Sequence, residues 1–150
     1  MLAASLGVTK GGFYGEFADR SALVERMLDT WEQATTDEVF ERVESAGGDA
    51  EAKLRRLFAL VSSGVVAVDL AVRDWARRDP AVATRLRRVD NRRMDYLRML
   101  FGAICRDEAE AEARSILAFS LVIGHHFMAA DHGARSHADA LDLAARWLLS

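Results

Sequence analysis

The 150-residue chain has one cysteine, one proline and no apolar run long enough to span a bilayer. A lone Cys105 cannot close an intrachain disulfide, and it fits the reducing chemistry of a cytoplasmic setting. With Pro80 the only ring-locked residue, long uninterrupted helices are permitted. The most apolar stretch, Ile116 to Ala130, falls short of the roughly 20 residues a membrane helix needs and contains His125 and His126. It therefore reads as a core helix, with no membrane partner. Met1 is not followed by a basic segment and an apolar run, so no secretory signal is visible. Net charge is −3, which does not make the whole chain an electrostatic magnet for nucleic acid. Alternating strand patterns, internal repeats and low-complexity segments are missing.

What is present points to helices. Apolar residues make up 51% and charged residues 29%, an ordinary balance for a globular chain of one domain or one domain plus a fragment. Asp19 is placed to cap a helix from Arg20 to about Ser45. Its stripe is Val24, Met27, Leu28, Trp31, Thr35 and Val39, at spacings of mostly three and four. Gly47-Gly48 ends it, and Asp49 caps a second helix carrying Leu54, Leu57, Phe58, Val61 and Val65. Gly64 predicts a bend or break near Ser62 to Gly64. Leu70 to Arg77 reads as a short helix holding Trp75.

Asp79-Pro80 is the clearest punctuation, with Asp79 as N-cap and Pro80 at the first helical position. From there Val82, Leu86, Val89, Tyr96, Leu97, Leu100 and Ile104 form a stripe reaching Cys105. The opposite face carries Arg85, Arg88 and Arg92. Asp107 opens the next helix, expected to run to about Ala130. After a loop over 131–135, Ser136 and Asp139 form a capping box for the last helix. That helix has one apolar edge of Leu141, Ala144, Ala145 and Leu148, and another of Leu143 and Trp147. A helix apolar on two sides needs two partners, and the expected ones are its own core and a second subunit.

The first twenty residues carry the sharpest motif, Leu6-Gly7-Val8-Thr9-Lys10-Gly11-Gly12-Phe13-Tyr14-Gly15-Glu16-Phe17-Ala18-Asp19-Arg20. Gly7 is suited to end a helix in the left-handed conformation, and Thr9 to cap the next. Phe13 and Phe17 share one face, while Lys10 and Tyr14 share another with donors that can reach phosphate. The stretch resembles the recognition helix and following helix of TetR-type transcriptional regulators. Asp69-Leu70-Ala71-Val72-Arg73-Asp74-Trp75-Ala76-Arg77-Arg78-Asp79-Pro80, with Arg88-Val89-Asp90 and Arg92-Arg93, also resembles a subgroup of that family.

The resemblance implies an all-α fold: a partial helix-turn-helix followed by a TetR-like C-terminal helical bundle. Residues 1–45 would be the partial DNA-binding domain and linker helix (the linker about 20–45). Residues 46–150 would be the ligand-binding and dimerisation domain. It implies operator DNA, an unidentified small-molecule effector and a second copy of the chain as partners, and no cofactor. Thr9, Lys10, Tyr14 and Arg20 would reach phosphates, while Gly11 and Gly12 would allow close approach to the major groove. Measured against the family, the first helix and part of the second would be missing, by true truncation or a mis-set start. Glu16 also stands where the family has His or Tyr. These departures support an alternative, a sensor or interaction module that no longer binds DNA.

Phe58, Val61, Trp75, Tyr96, Met99, Leu100, Phe119 and Phe127 are candidates either for a ligand pocket or for ordinary core. Leu117, Leu121, Gly124, Met128, Leu143 and Trp147 are the candidate dimer interface, a four-helix contact across a two-fold axis. His125, His126 and His132 lack the usual metal-ligand spacing and read instead as interface or pocket histidines able to respond to pH. Arg85, Arg87, Arg88, Arg92, Arg93 and Arg98 form a basic helix face. It is either solvated and paired with residues such as Asp90 and Asp95, or it recognises an anion, or it builds a crossing ion-pair network. No nucleophile elbow, phosphate loop or zinc-protease motif is present, so no catalytic residue is assigned and an enzyme is not expected.

Overall fold

A computed structural model describes residues 20–62 and 66–150, and these are all-helical, with no strand among the described residues. Helix α1 spans Arg20–Glu32 and α2 spans Glu38–Ser45, joined without a break by a π-helical turn at Gln33–Asp37. The wide turn has a packing reason. Trp31 and Val39 are both buried, yet eight α-helical residues would leave them about 80° out of phase. A π turn absorbs one extra residue and brings Val39 back under Trp31. The hydroxyl of Thr35 donates to the Trp31 carbonyl at 2.7 Å within this turn, the kind of back-bond that distorts a helix.

Gly47 and Gly48 end α2 with φ of +65° and +98°, a region that residues with a Cβ rarely adopt. Asp49 then accepts from the Ala52 amide, opening α3 at Ala50–Ser62. Helix α4 is Val66–Ala76, so it begins four residues before the expected Leu70. The Asp79 carboxylate accepts from the amides of Ala81 and Val82 and starts α5, Pro80–Gly102. This helix ends at Gly102 rather than Cys105, its last carbonyls meeting the Ala103, Ile104 and Cys105 amides in a tightening turn.

Asp107 caps α6, Glu108–Gly124, which stops well short of the expected Ala130. A single 3-10 turn follows at His125–Phe127, and Met128 is already extended. Residues 126–131 are exposed, so no packing holds a further α turn there. The capping box of Ser136 and Asp139 opens α7, His137–Leu149.

Helix α5 is the axis of the bundle. Its Val82 and Val89 pack with Leu28 and Trp31 of α1 and Val72 of α4. Its Leu97, Leu100 and Phe101 pack with Val39 and Val43 of α2, Leu54 and Leu57 of α3, Ala111 and Ala118 of α6, and Leu148 and Leu149 of α7. The two clusters lie on either side of the π turn, which sets the phase between them.

The basic face of α5 is a crossing ion-pair network. Arg85 bonds Glu32 at 2.9 Å and also pairs with Glu25 and Asp29, all on α1. Arg88 and Arg92 reach the same Glu32 carboxylate at 2.7 and 2.8 Å. Burial opposes ionisation of Glu32, but the hydrogen bonds from Arg88, Arg85 and Arg92 outweigh it and hold its pKa below the usual range. Arg98 pairs with Asp95 and Glu112 instead, on the far side of the helix.

Candidate functional site

An apolar cavity of about 90 Å³ lies where five elements converge. The α1–α2 helix contributes Thr35, Val39 and Phe40, and α3 contributes Leu57, Phe58 and Val61. Opposite them stand Asp69 of α4, Arg93 and Leu97 of α5, and Ala118, Phe119, Val122 and Ile123 of α6. Phe58, Val61 and Val122 also border an open groove of about 680 Å³ between α3, α6 and α7, which adds Arg55, His125, His137, Asp142 and Arg146.

The polar edge of the cavity is one connected network. Asp69, 5% exposed, accepts from Trp31 Nε1 at 3.1 Å and from Arg73 Nε at 2.9 Å. Arg93 Nη1 stands 2.9 Å from Asp69 and 3.4 Å from Asp90. Arg73 closes the ring with two bonds to Asp90, at 2.7 and 2.8 Å. Burial alone would lower the Arg73 pKa, but Asp90 and Asp69 raise it above its ordinary value. Arg93 then ties the ring to the π turn through the hydroxyls of Thr36, at 3.1 Å, and Thr35, at 2.7 Å. Its guanidinium lies 5.5 Å from the Trp31 ring centroid, a cation–π contact.

Of the residues expected around a pocket, Phe58, Val61 and Phe119 line the cavity. The other five lie elsewhere, each for a packing reason. Leu100 is buried in the larger core, and Trp75 packs against the smaller one. Tyr96 stacks behind Phe40, ring centroids 4.1 Å apart, and donates to Glu44 at 2.6 Å. It thus backs the cavity wall without reaching the cavity; burial first, then the Glu44 bond, raises its pKa. Met99 and Phe127 are exposed at 55% and 70%. Met99 sits on the outer face of α5, and the end of α6 leaves Phe127 outside the bundle.

The lining residues Thr35, Asp69 and Arg93 were not expected. Asp69 had a signal: it is a carboxylate within the apolar stretch 66–72, where an unpaired charge would be costly. The paired threonines at 35 and 36 had none, because their role depends on Arg93, more than fifty residues away.

Thr9, Lys10, Gly11, Gly12 and Tyr14 fall outside the described residues, and Arg20 is the exposed first residue of α1. Among the candidate interface residues, Leu117, Leu143 and Trp147 are exposed, and Leu121 and Gly124 are half-buried. Leu117, Leu121 and Gly124 follow the helical spacing of α6. Met128 does not join that stripe, because the chain is extended there.

The histidines form a cluster larger than expected. His137 takes the centre, its Nε2 3.1 Å from His125 Nδ1 and its Nδ1 2.7 Å from His132 Nε2. His126 packs on His125, ring centroids 3.7 Å apart. Because His137 turns opposite ring nitrogens to its two neighbours, the three rings share no common centre. Among the described residues no group of three or more His, Cys, Asp or Glu is placed to hold a metal ion. Burial, and then the charges of His126 and His137, lower the His125 pKa. Cys105 is half-buried, and burial raises its pKa, which disfavours a reactive thiolate.

No helix among the described residues is long and apolar enough to cross a membrane. No family model, curated protein or solved structure matches this chain.

Proposed function

We propose that the chain is a TetR-like, ligand-responsive transcriptional regulator, a repressor that binds operator DNA as a homodimer and releases it when a small molecule fills the interhelical cavity. The observation that carries this reading is that α1 and α2 are one continuous helix. It begins at Arg20, separated in the sequence by five residues from the recognition-helix-like motif of residues 9–14, and its π turn forms a wall of the cavity. A molecule seated against Thr35, Val39 and Phe40 touches the very element that leads to the DNA-binding segment. A ligand that prefers one position of this helix shifts the population toward it, by no more than its difference in affinity for the two positions.

The dimer part of the proposal is supported by the exposed apolar side chains of α6 and α7, Ile116, Leu117, Leu143 and Trp147. Apolar surface gathered on two neighbouring helices is commonly an interaction site. The test is binding of the full natural chain to the DNA upstream of its own gene across a salt series. Specific binding that weakens steeply with salt supports the proposal. Absence of specific binding at low salt overturns it in favour of the alternative, a sensor or interaction module that has lost DNA binding; Glu16 and the neutral charge of residues 1–20 favour that alternative.

A further inference from the structure

We infer that the cavity takes an uncharged apolar ligand, or the uncharged apolar end of a larger one, carrying at most one hydrogen-bond acceptor. This rests on the reading of the cavity as the effector site and specifies what that effector is. The argument is charge and donor accounting at the cavity edge. The ring of Asp69, Arg73, Asp90 and Arg93 contains two carboxylates and two guanidiniums, so it is neutral as it stands. An anionic ligand could find a counter-charge only by drawing Arg93 away from Asp69, which would strand a buried carboxylate. A cationic ligand would strand a guanidinium in the same way. Breaking a buried pair from one side is the expensive direction.

Donor accounting narrows the class further. Arg93 donates its Nε hydrogen to Thr36, an Nη1 hydrogen to Asp90 and one Nη2 hydrogen to Thr35, and its Nη1 is ion-paired with Asp69. With Nη1 turned to the two carboxylates, one of the five N–H donors of the guanidinium, on Nη2, has neither a hydrogen bond nor an ion pair among the described residues. A ketone, ether or ester oxygen satisfies it; a second acceptor would meet only apolar wall. Size completes the description. An apolar cavity of about 150 Å³ holds benzene, whereas this one measures about 90 Å³. The enclosed part of the ligand is therefore smaller than benzene, on the scale of about three carbons, and a larger molecule extends past Phe58, Val61 and Val122 into the groove.

The experiment uses four probes built on one three-carbon body: propane, acetone, isobutyrate and isopropylamine. Each is titrated into the full chain while methyl NMR follows Val39, Leu57 and Val122. The two neutral probes are expected to shift these methyls saturably, and the two ionic probes to bind at least tenfold more weakly. Ala118→Val and Val122→Ile, which fill the cavity from two positions on α6, are each expected to weaken the neutral probes several-fold. The inference is overturned if an ionic probe binds within tenfold of the neutral ones, if no probe binds saturably, or if both filling variants bind unchanged. The readout does not involve DNA. Failure to bind operator would sink the regulatory reading while leaving these results standing, and failure of the probes would do the reverse.

Discussion

The Arg93 guanidinium donates to the Thr35 hydroxyl at 2.7 Å, joining the middle of α5 to the π turn between α1 and α2. The same guanidinium pairs with Asp69, so one side chain connects three helices at the cavity edge. Replacing Arg93 with Met is expected to destabilise the protein by about 3–5 kcal/mol, because Asp69 keeps its burial and loses a counter-charge. Adding Asp69→Asn to that variant should recover part of the loss. Urea denaturation of both variants checks the pair, and an Arg93→Met protein as stable as wild type would refute the role given to the ring.

Glu32 accepts from three arginines of α5 while itself nearly buried. Its depressed pKa has a definite sign in the stability profile. The contribution is present above the ordinary glutamate value of about 4.3 and disappears as pH falls through the lower folded-state value. Glu32→Gln should lower stability at pH 7 and flatten the decline that begins as pH falls below about 4.3. Chemical denaturation at a series of pH values measures both effects, and an unchanged slope would contradict the assignment.

His125, at one end of three linked imidazoles, predicts a second, separate pH response. Two gaps between ring nitrogens hold two protons, which neutral rings supply head to tail, with all three protonated on the same kind of nitrogen. The lowered pKa of His125 means that the folded state takes up a proton there less readily than the unfolded chain. Stability is therefore full above about pH 6.5 and falls below it. The charged groups sharing the groove are Arg55, Asp142 and Arg146, the last two paired at 3.0 Å. His125→Gln should remove the decline below about pH 6.5. Nitrogen NMR of the rings should show one shared tautomer at pH 8; mixed tautomers would count against the chain.

Trp147 is 73% exposed in the single chain, and Leu143 stands one helical turn before it. If these residues meet a second copy, Trp147→Glu should turn a dimer at micromolar concentration into a monomer with unchanged helicity. Within one chain the substitution has little packing to lose. Sedimentation of both proteins decides the matter, and a monomeric wild type would exclude the dimer. An obligate interface here should bury on the order of 2,000 Å².

Local chemistry made much of the fold legible. The caps at Asp49, Asp79, Asp107 and Ser136 act within three residues of their own positions, so their side chains announce helix starts without help from the rest of the chain. The breaks at Gly47-Gly48 and Asp79-Pro80 follow from backbone conformations that glycine and proline favour. The buried stripes of α1, α2 and α5 repeat at helical spacing and could be read directly. Phe58, Val61 and Phe119 were legible as cavity candidates because they are large apolar residues on inward faces.

Tertiary structure decided the rest. Whether a large apolar residue fills a core, backs a wall or faces solvent depends on where neighbouring helices stop. That is how Leu100, Tyr96 and Phe127 came to differ. The π turn answers a phase demand between two packing clusters built from distant parts of the chain. The neutral ring at the cavity and the histidine chain at the α6–α7 connection are pairings across sequence gaps that no local pattern encodes. The sequence by itself determined which segments coil and which faces turn inward, because caps, breakers and periodicity act over a few residues. Which charges meet was decided only when the helices packed.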